Sequence, residues 1–233
     1  MLVSHRKKFI FIKTRKTAGT SIEVFFEPYC RAPGCQRPVL ESTEESIDEY
    51  GIVGCRAADI RGRRFYNHMP AEDIRANVDD RLWNSYLKIT CTRNPFDQMV
   101  SRFWFYRAEE TRSALQLLET PQLQAAFSEW ILGTAHLPAN DRLICIDGRL
   151  AADRVIRYET LRADLNAVCE DIGIPYDEDR LVPFKVDARR RSLHYSDYYN
   201  AASRRFVEKF CETELRLFGY QFEPAQNVAG VSS

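Results

Sequence analysis

No stretch of this 233-residue chain approaches the roughly 18 consecutive apolar residues of a membrane-spanning helix. Nor does the N-terminus carry the pattern of a secretory leader. We therefore expect a soluble, cytoplasmic protein without stable membrane insertion. Net charge is also lacking: 33 basic residues balance 33 acidic ones. Without a general basic field the chain is not expected to bind nucleic acid. Arginines cluster locally at Arg61, Arg63 and Arg64 and again at 189–191. There is no C-x-x-C, and the seven cysteines are an odd number, so reduced, buried thiols are expected rather than a disulfide framework. Cys30 and Cys35 flank a Pro-Gly turn, but one C-x-x-x-x-C is weak support for a pair or a metal, and no metal is expected. No repeat or low-complexity segment occurs. The nucleotide-loop pattern G-x-x-x-x-G-K-S/T is missing as well.

What the chain does have is the run Phe9-Ile10-Phe11-Ile12 followed by the basic, small-residue turn Lys13 to Ser21. Four apolar residues in a row read as a strand buried on both faces, as in a parallel sheet. Ala18 and Gly19 allow close backbone approach to an anion, and Thr20 or Ser21 is expected to cap a helix through Ile22, Val24 and Phe25. Free N–H groups and the positive dipole end at that point suit a phosphate or sulfate. Lys16 adds a mobile charge and Thr17 a hydroxyl.

A second strand is expected over 87–92, then a helix over 96–107 with Asn94 as cap and Pro95 at its first position. Arg93 then stands at a strand end, where open α/β sheets bind ligands, and Ser101 stands two turns into the helix. Further helices are expected over 70–76, 79–86, 115–132 and 196–218, and strands over 64–68, 143–147 and 154–158. Alternating strands and helices point to a parallel α/β sheet. An aromatic fraction of 12% is enough to fill a core. We expect one domain over 1–225, with 226–233 as a disordered tail.

These segments resemble the sulfotransferases that use 3′-phosphoadenosine-5′-phosphosulfate, closest to the carbohydrate-type members. Residues 16–21, KTAGTS, look like that family's 5′-phosphosulfate loop, although Arg15 stands where Pro is frequent. Residues 93–105 look like its 3′-phosphate motif, with the same Arg-to-Ser spacing of eight and Asn94 in place of the commoner Asp. Residues 155–161 (VIRYETL) leading to Ile172-Gly-Ile-Pro175, and the segments 194–199 and 217–222, are similar in the same order. Residues 30–64 match nothing in the family pattern.

The resemblance implies a P-loop-NTPase-like three-layer fold, with a central, mainly parallel sheet flanked by helices. It implies in-line transfer of a sulfuryl group from that donor to a hydroxyl. The donor would be held by Arg15, Lys16, Thr17, Ala18, Gly19, Thr20 and Ser21, with Arg93 and Ser101 on its 3′-phosphate, and Arg190 and Arg191 closing over it. Lys16 would neutralise the leaving group. His68, the one histidine between the two motifs, would accept the acceptor's proton, with Asp59, Glu72 and Asp73 as rivals. At an ordinary imidazole pKa of about 6.5 the chemistry would weaken below that pH. Without a membrane anchor, unlike Golgi members, a bacterial protein is expected. The acceptor, a small molecule or carbohydrate, and the oligomeric state are not encoded legibly. A P-loop kinase or NTPase, and a silent nucleotide-binding relative, are the competing classes.

Overall fold

The computed structural model describes residues 1–35, 44–134, 137, 139–184 and 193–225. They fall into two compact units: 1–93 with 140–184, and 94–139 with 185–233.

In chain order the elements are β1 (Leu2–Ser4), β2 (Phe9–Ile12), α1 (Gly19–Phe26), β3 (Ser46–Ile47), β4 (Gly51–Val53), α2 (Ala71–Asn77), α3 (Asp80–Ser85), β5 (Leu87–Thr92) and α4 (Pro95–Phe105). There follow α5 (Glu109–Gln116), α6 (Thr120–Gly133), α7 (Asp141–Ile144), β6 (Cys145–Ile146), β7 (Arg149–Leu150), β8 (Arg154–Arg157), α8 (Leu161–Asp171), α9 (Ala201–Phe210) and α10 (Glu212–Phe218).

The first unit is built on a six-stranded sheet, ordered β3-β4-β1-β2-β5-β8. β2, β5 and β8 run parallel, with Phe9 opposite Leu87 and Thr90 opposite Val155. All four residues of β2 are buried, as expected of a central strand covered on both faces. Thr90, a polar residue inside this core, donates its hydroxyl to the Ile12 carbonyl at 2.8 Å. The other half of the sheet is an antiparallel wing of β1, β4 and β3. β4 lies so close to β1 that a Cβ on Gly51 would come within 2.1 Å of the Val3 carbonyl oxygen. The fold is thus α/β, parallel in the half that carries the basic loop. Phe9, Phe11, Ile22, Phe25 and Phe26 form the heart of its apolar core with Ile89, Ile156 and Leu165.

The second unit is helical around an aromatic cluster that includes Phe96, Phe103, Trp104, Phe127, Tyr198 and Tyr199. The polar ends of its rings are satisfied: Trp104 Nε1 donates to the Tyr198 hydroxyl at 3.1 Å, and the Tyr199 hydroxyl donates to the Phe96 carbonyl at 2.8 Å. Asn94 caps α4 as expected, its Oδ1 accepting from Phe96 N at 3.0 Å.

Several elements differ from the sequence-based expectation. The helix expected over 115–132 is two helices, because Glu119 and Gln122 form a reciprocal capping box and Pro121 starts a new helix. The C-terminal helix is broken twice. Residues Tyr195–Tyr198 form a 3₁₀ turn, Asn200 caps α9 through Ala202 N and Ser203 N, and α10 restarts after Cys211. Of residues 143–147 only Cys145–Ile146 form a strand: Asp141–Ile144 make a helical turn, and β6 pairs with β7 through Asp147 and Gly148, both left-handed. Residues 64–68 form no strand, only one bridge between Tyr66 and Cys55. The expected tail, 226–233, lies outside the described residues.

Candidate active site

Three neighbouring parallel strands end within one residue of a polar side chain. Lys13 follows β2, Arg93 follows β5 and Tyr158 follows β8. The loop from Lys13 to Ala18 opens from this edge of the sheet, where α/β proteins place their ligands. Lys16 and Ala18 have φ of 60° and 62°, left-handed values that cost energy for residues with a side chain. A turn with such residues faces successive N–H groups to one side, a concavity that fits an anion. His68 has the same handedness, φ 57°, so three of the five non-glycine residues with positive φ among the described residues belong to this edge.

The underside of the loop is closed by buried hydroxyls. Thr14 Oγ1 donates to the Cys91 carbonyl at 2.6 Å and lies 2.7 Å from Thr17 Oγ1, which is 3.1 Å from Cys91 Sγ. The Thr17 hydroxyl is therefore turned into the fold, and the residue is fully buried. Helix α1 starts at Gly19 with Ala18 as its cap residue and no side-chain cap. The expected cap from Thr20 or Ser21 does not form, because the helix already starts at Gly19 and both residues lie inside it; the Ser21 hydroxyl accepts from Phe184 N at 3.2 Å instead. The helix end stays open toward the loop.

A Cβ on Gly19 would lie 2.9 Å from Lys13 Cγ, 3.1 Å from the Thr14 carbonyl oxygen and 3.4 Å from Cys91 Sγ. Lys13 cannot swing away freely, since its ammonium is held by Glu23 at 2.7 Å. We expect Gly19→Ala to destabilise the fold by about 1–3 kcal/mol, the usual cost of overpacking. Chemical denaturation would measure it, and an unchanged midpoint would show that the loop yields without strain.

His68 is tied to the loop through Nδ1, 3.3 Å from the Lys13 carbonyl oxygen. A carbonyl only accepts, so Nδ1 carries the proton and Nε2 keeps its lone pair. Burial, reinforced by the charges of Lys13 and Arg15, pushes the His68 pKa down to about 3. The sequence-level value near 6.5 is corrected accordingly: imidazolium is disfavoured where water is excluded and cations are near. The rivals sit elsewhere. Asp59 is exposed and paired with Arg61, Glu72 is exposed, and Asp73 accepts from the Tyr66 hydroxyl at 3.0 Å.

Arg93 is buried. One of its N–H groups donates to the Lys16 carbonyl at 3.4 Å, and its guanidinium lies 3.9 Å from the centre of the Tyr158 ring. Thr92 Oγ1 and Asn67 Oδ1, next in sequence to Arg93 and His68, are buried without a hydrogen-bond partner among the described residues. Orphaned polar atoms beside a basic loop fit a site that takes a polar ligand. Ser101 stands half-buried on α4 of the second unit. There His194 caps the 3₁₀ turn through Ser196 N. Arg190 and Arg191 lie outside the described residues.

The sequence profile of the sulfotransferase family matches residues 1–221. The chain belongs to the sulfotransferase family. That membership agrees with the P-loop-like α/β fold. This sulfotransferase is also 29% identical over 126 residues to an uncharacterized protein of Archaeoglobus fulgidus, a match spanning 54% of this chain and 99% of the other. No solved structure matches it significantly. Among the described residues no helix is long and apolar enough to cross a membrane, and no cluster of His, Cys, Asp and Glu is suited to a metal ion.

Sequence reading missed three supports of the site. Lys13 holds His68 by its carbonyl, Glu23 holds Lys13, and Asn140 bonds to the backbone of Arg15. Only Glu23 left a trace: it is the one charged residue of α1, with Glu27 four residues on, just past the helix end.

Proposed function

We propose that this sulfotransferase takes its sulfuryl group from 3′-phosphoadenosine-5′-phosphosulfate and delivers it to a hydroxyl of a small-molecule or carbohydrate acceptor. The observation that carries the reading is the loop itself. Lys16 and Ala18 are left-handed, Gly19 has no room for a Cβ, and the Arg93 guanidinium reaches the loop's own carbonyl from the next strand end.

The donor supplies a sulfur already bonded to a good leaving group. Backbone N–H groups from Lys16 to Thr20 and the open end of α1 bind its 5′ end. The Lys16 ammonium neutralises the bridging oxygen as the bond from sulfur to that oxygen breaks. His68 Nε2 takes the proton of the acceptor hydroxyl as the new bond to sulfur forms. Arg93 pairs with the 3′-phosphate. The assignment of Ser101 to the same phosphate rests on its motif spacing.

Calorimetry should show adenosine 3′,5′-bisphosphate binding at least tenfold more tightly than AMP, the worth of about 1.5 kcal/mol from one charge-assisted hydrogen bond. Equal affinities would remove the 3′-phosphate assignment, and preference for ATP or GTP would favour a kinase or NTPase. Release of the bisphosphate in the presence of alcohols and sugars tests transfer directly.

A further inference from the structure

Asn140 is almost fully buried, 1% exposed, and precedes the short helix α7. At such a position an asparagine usually caps its own helix. This one does not: α7 has no side-chain cap. Its amide turns instead to the backbone of Arg15. Oδ1 accepts from Arg15 N at 3.0 Å, and Nδ2 donates to the Arg15 carbonyl at 3.1 Å. The amide thus pairs with one residue's backbone as a neighbouring strand would. Arg15 lies beyond the last ladder pair of β2, Ile12 with Thr90, so the sheet cannot satisfy it. Asn140 is itself fixed through its own carbonyl, which accepts from Leu143 N at 2.8 Å.

We propose that Asn140 is a positioning residue for the anion loop, clamping Arg15 so that the backbone N–H groups from Lys16 onward meet the 5′ end of the donor. The inference rests on the donor reading above. Left-handed residues such as Lys16 and Ala18 persist only where their surroundings hold them. The loop is held below by Thr14 and Cys91, at Lys16 by Arg93, and at its start by Asn140. Of these, Asn140 alone reaches the loop from outside strands β2 and β5 and the residues that end them.

The test compares adenosine 3′,5′-bisphosphate with adenosine 3′-monophosphate by calorimetry on the full chain. The two share every group except the 5′-phosphate. In Asn140→Ala, affinity for the bisphosphate should fall about tenfold, roughly the worth of one or two hydrogen bonds, while the monophosphate changes less than about twofold. Asn140→Asp keeps the size and the acceptor for Arg15 N, but sets a carboxylate oxygen against the Arg15 carbonyl. It should lose at least as much, and it decides the matter should the alanine variant not fold. Wild-type selectivity in both variants overturns the proposal, and so does an equal loss for both nucleotides, the mark of a general defect. A wild-type protein that does not prefer the bisphosphate overturns the donor reading, and the proposal with it.

Discussion

His68→Ala should lower single-turnover sulfate transfer to an alcohol acceptor by about 10²–10⁴, the range for loss of a general base, with nucleotide affinity nearly intact. The expectation rests on a fixed tautomer: with Nδ1 committed to the Lys13 carbonyl, Nε2 is free to accept. The pH profile should carry the imprint of its surroundings. In the free protein, burial and the nearby Lys13 and Arg15 hold the His68 pKa at about 3. The acid limb of kcat/KM due to His68 should thus lie far below 6.5. A bound donor brings several negative charges toward the same imidazole, which favours its protonated form. The limb in kcat should therefore lie at higher pH than the limb in kcat/KM. A normal rate and profile in His68→Ala would send the role to another residue. Folding stability carries the same sign. As pH falls below about 6.5 the unfolded chain binds a proton that the folded chain refuses until about 3, so stability drops across that window. His68→Gln should flatten the slope there by up to about 1.4 kcal/mol per pH unit.

Lys16→Ala should reduce turnover by about 10²–10³, the effect of losing one group aimed at developing charge. Binding of the bisphosphate should fall less, because the backbone groups of the loop do not depend on the side chain. The left-handed conformation of Lys16 is tied to the Arg93 contact with its carbonyl, which the substitution retains. Pre-steady-state measurement at saturating acceptor separates the two effects. Near-normal turnover would show that Lys16 does not serve the leaving group.

The parallel half of the sheet was legible because Phe9–Ile12 is buried throughout and Leu87–Thr92 is buried from Ile89 on, each followed by polar residues at its end. The same rule placed Arg93 and the loop. The antiparallel wing was not legible: β1, β3 and β4 are two or three residues long, too short to show a period. Helix breaks were missed where the stop is a capping arrangement, as at Glu119 and Asn200, since the apolar spacing runs on across both. In the candidate site, chain proximity grouped Lys16 with its loop neighbours, and His68, singled out by its position between motifs, is bonded to that loop at the Lys13 carbonyl. Asn140 could not be found that way. It lies 125 residues from Arg15, and its partner is backbone, which leaves no mark in side-chain patterns.

Two buried glutamates, Glu23 on α1 and Glu27 just after its end, divide the protein's response to salt. Glu23 pairs with Lys13 at 2.7 Å and with Arg56 at 3.1 Å, and Arg56 continues to Glu27, which also holds Arg31 at 2.7 Å. Burial alone would raise the Glu23 pKa, but Lys13 and Arg56 outweigh it and hold the carboxyl well below its usual range. Of these side chains only Arg31 is appreciably exposed, at 22%. Mobile ions screen charges they can surround, and they cannot surround these. Adding salt should therefore weaken capture of an anionic donor while leaving the framework under the loop intact. Ionic strength becomes a dial on occupancy alone, and only acid that protonates Glu23 reaches the framework.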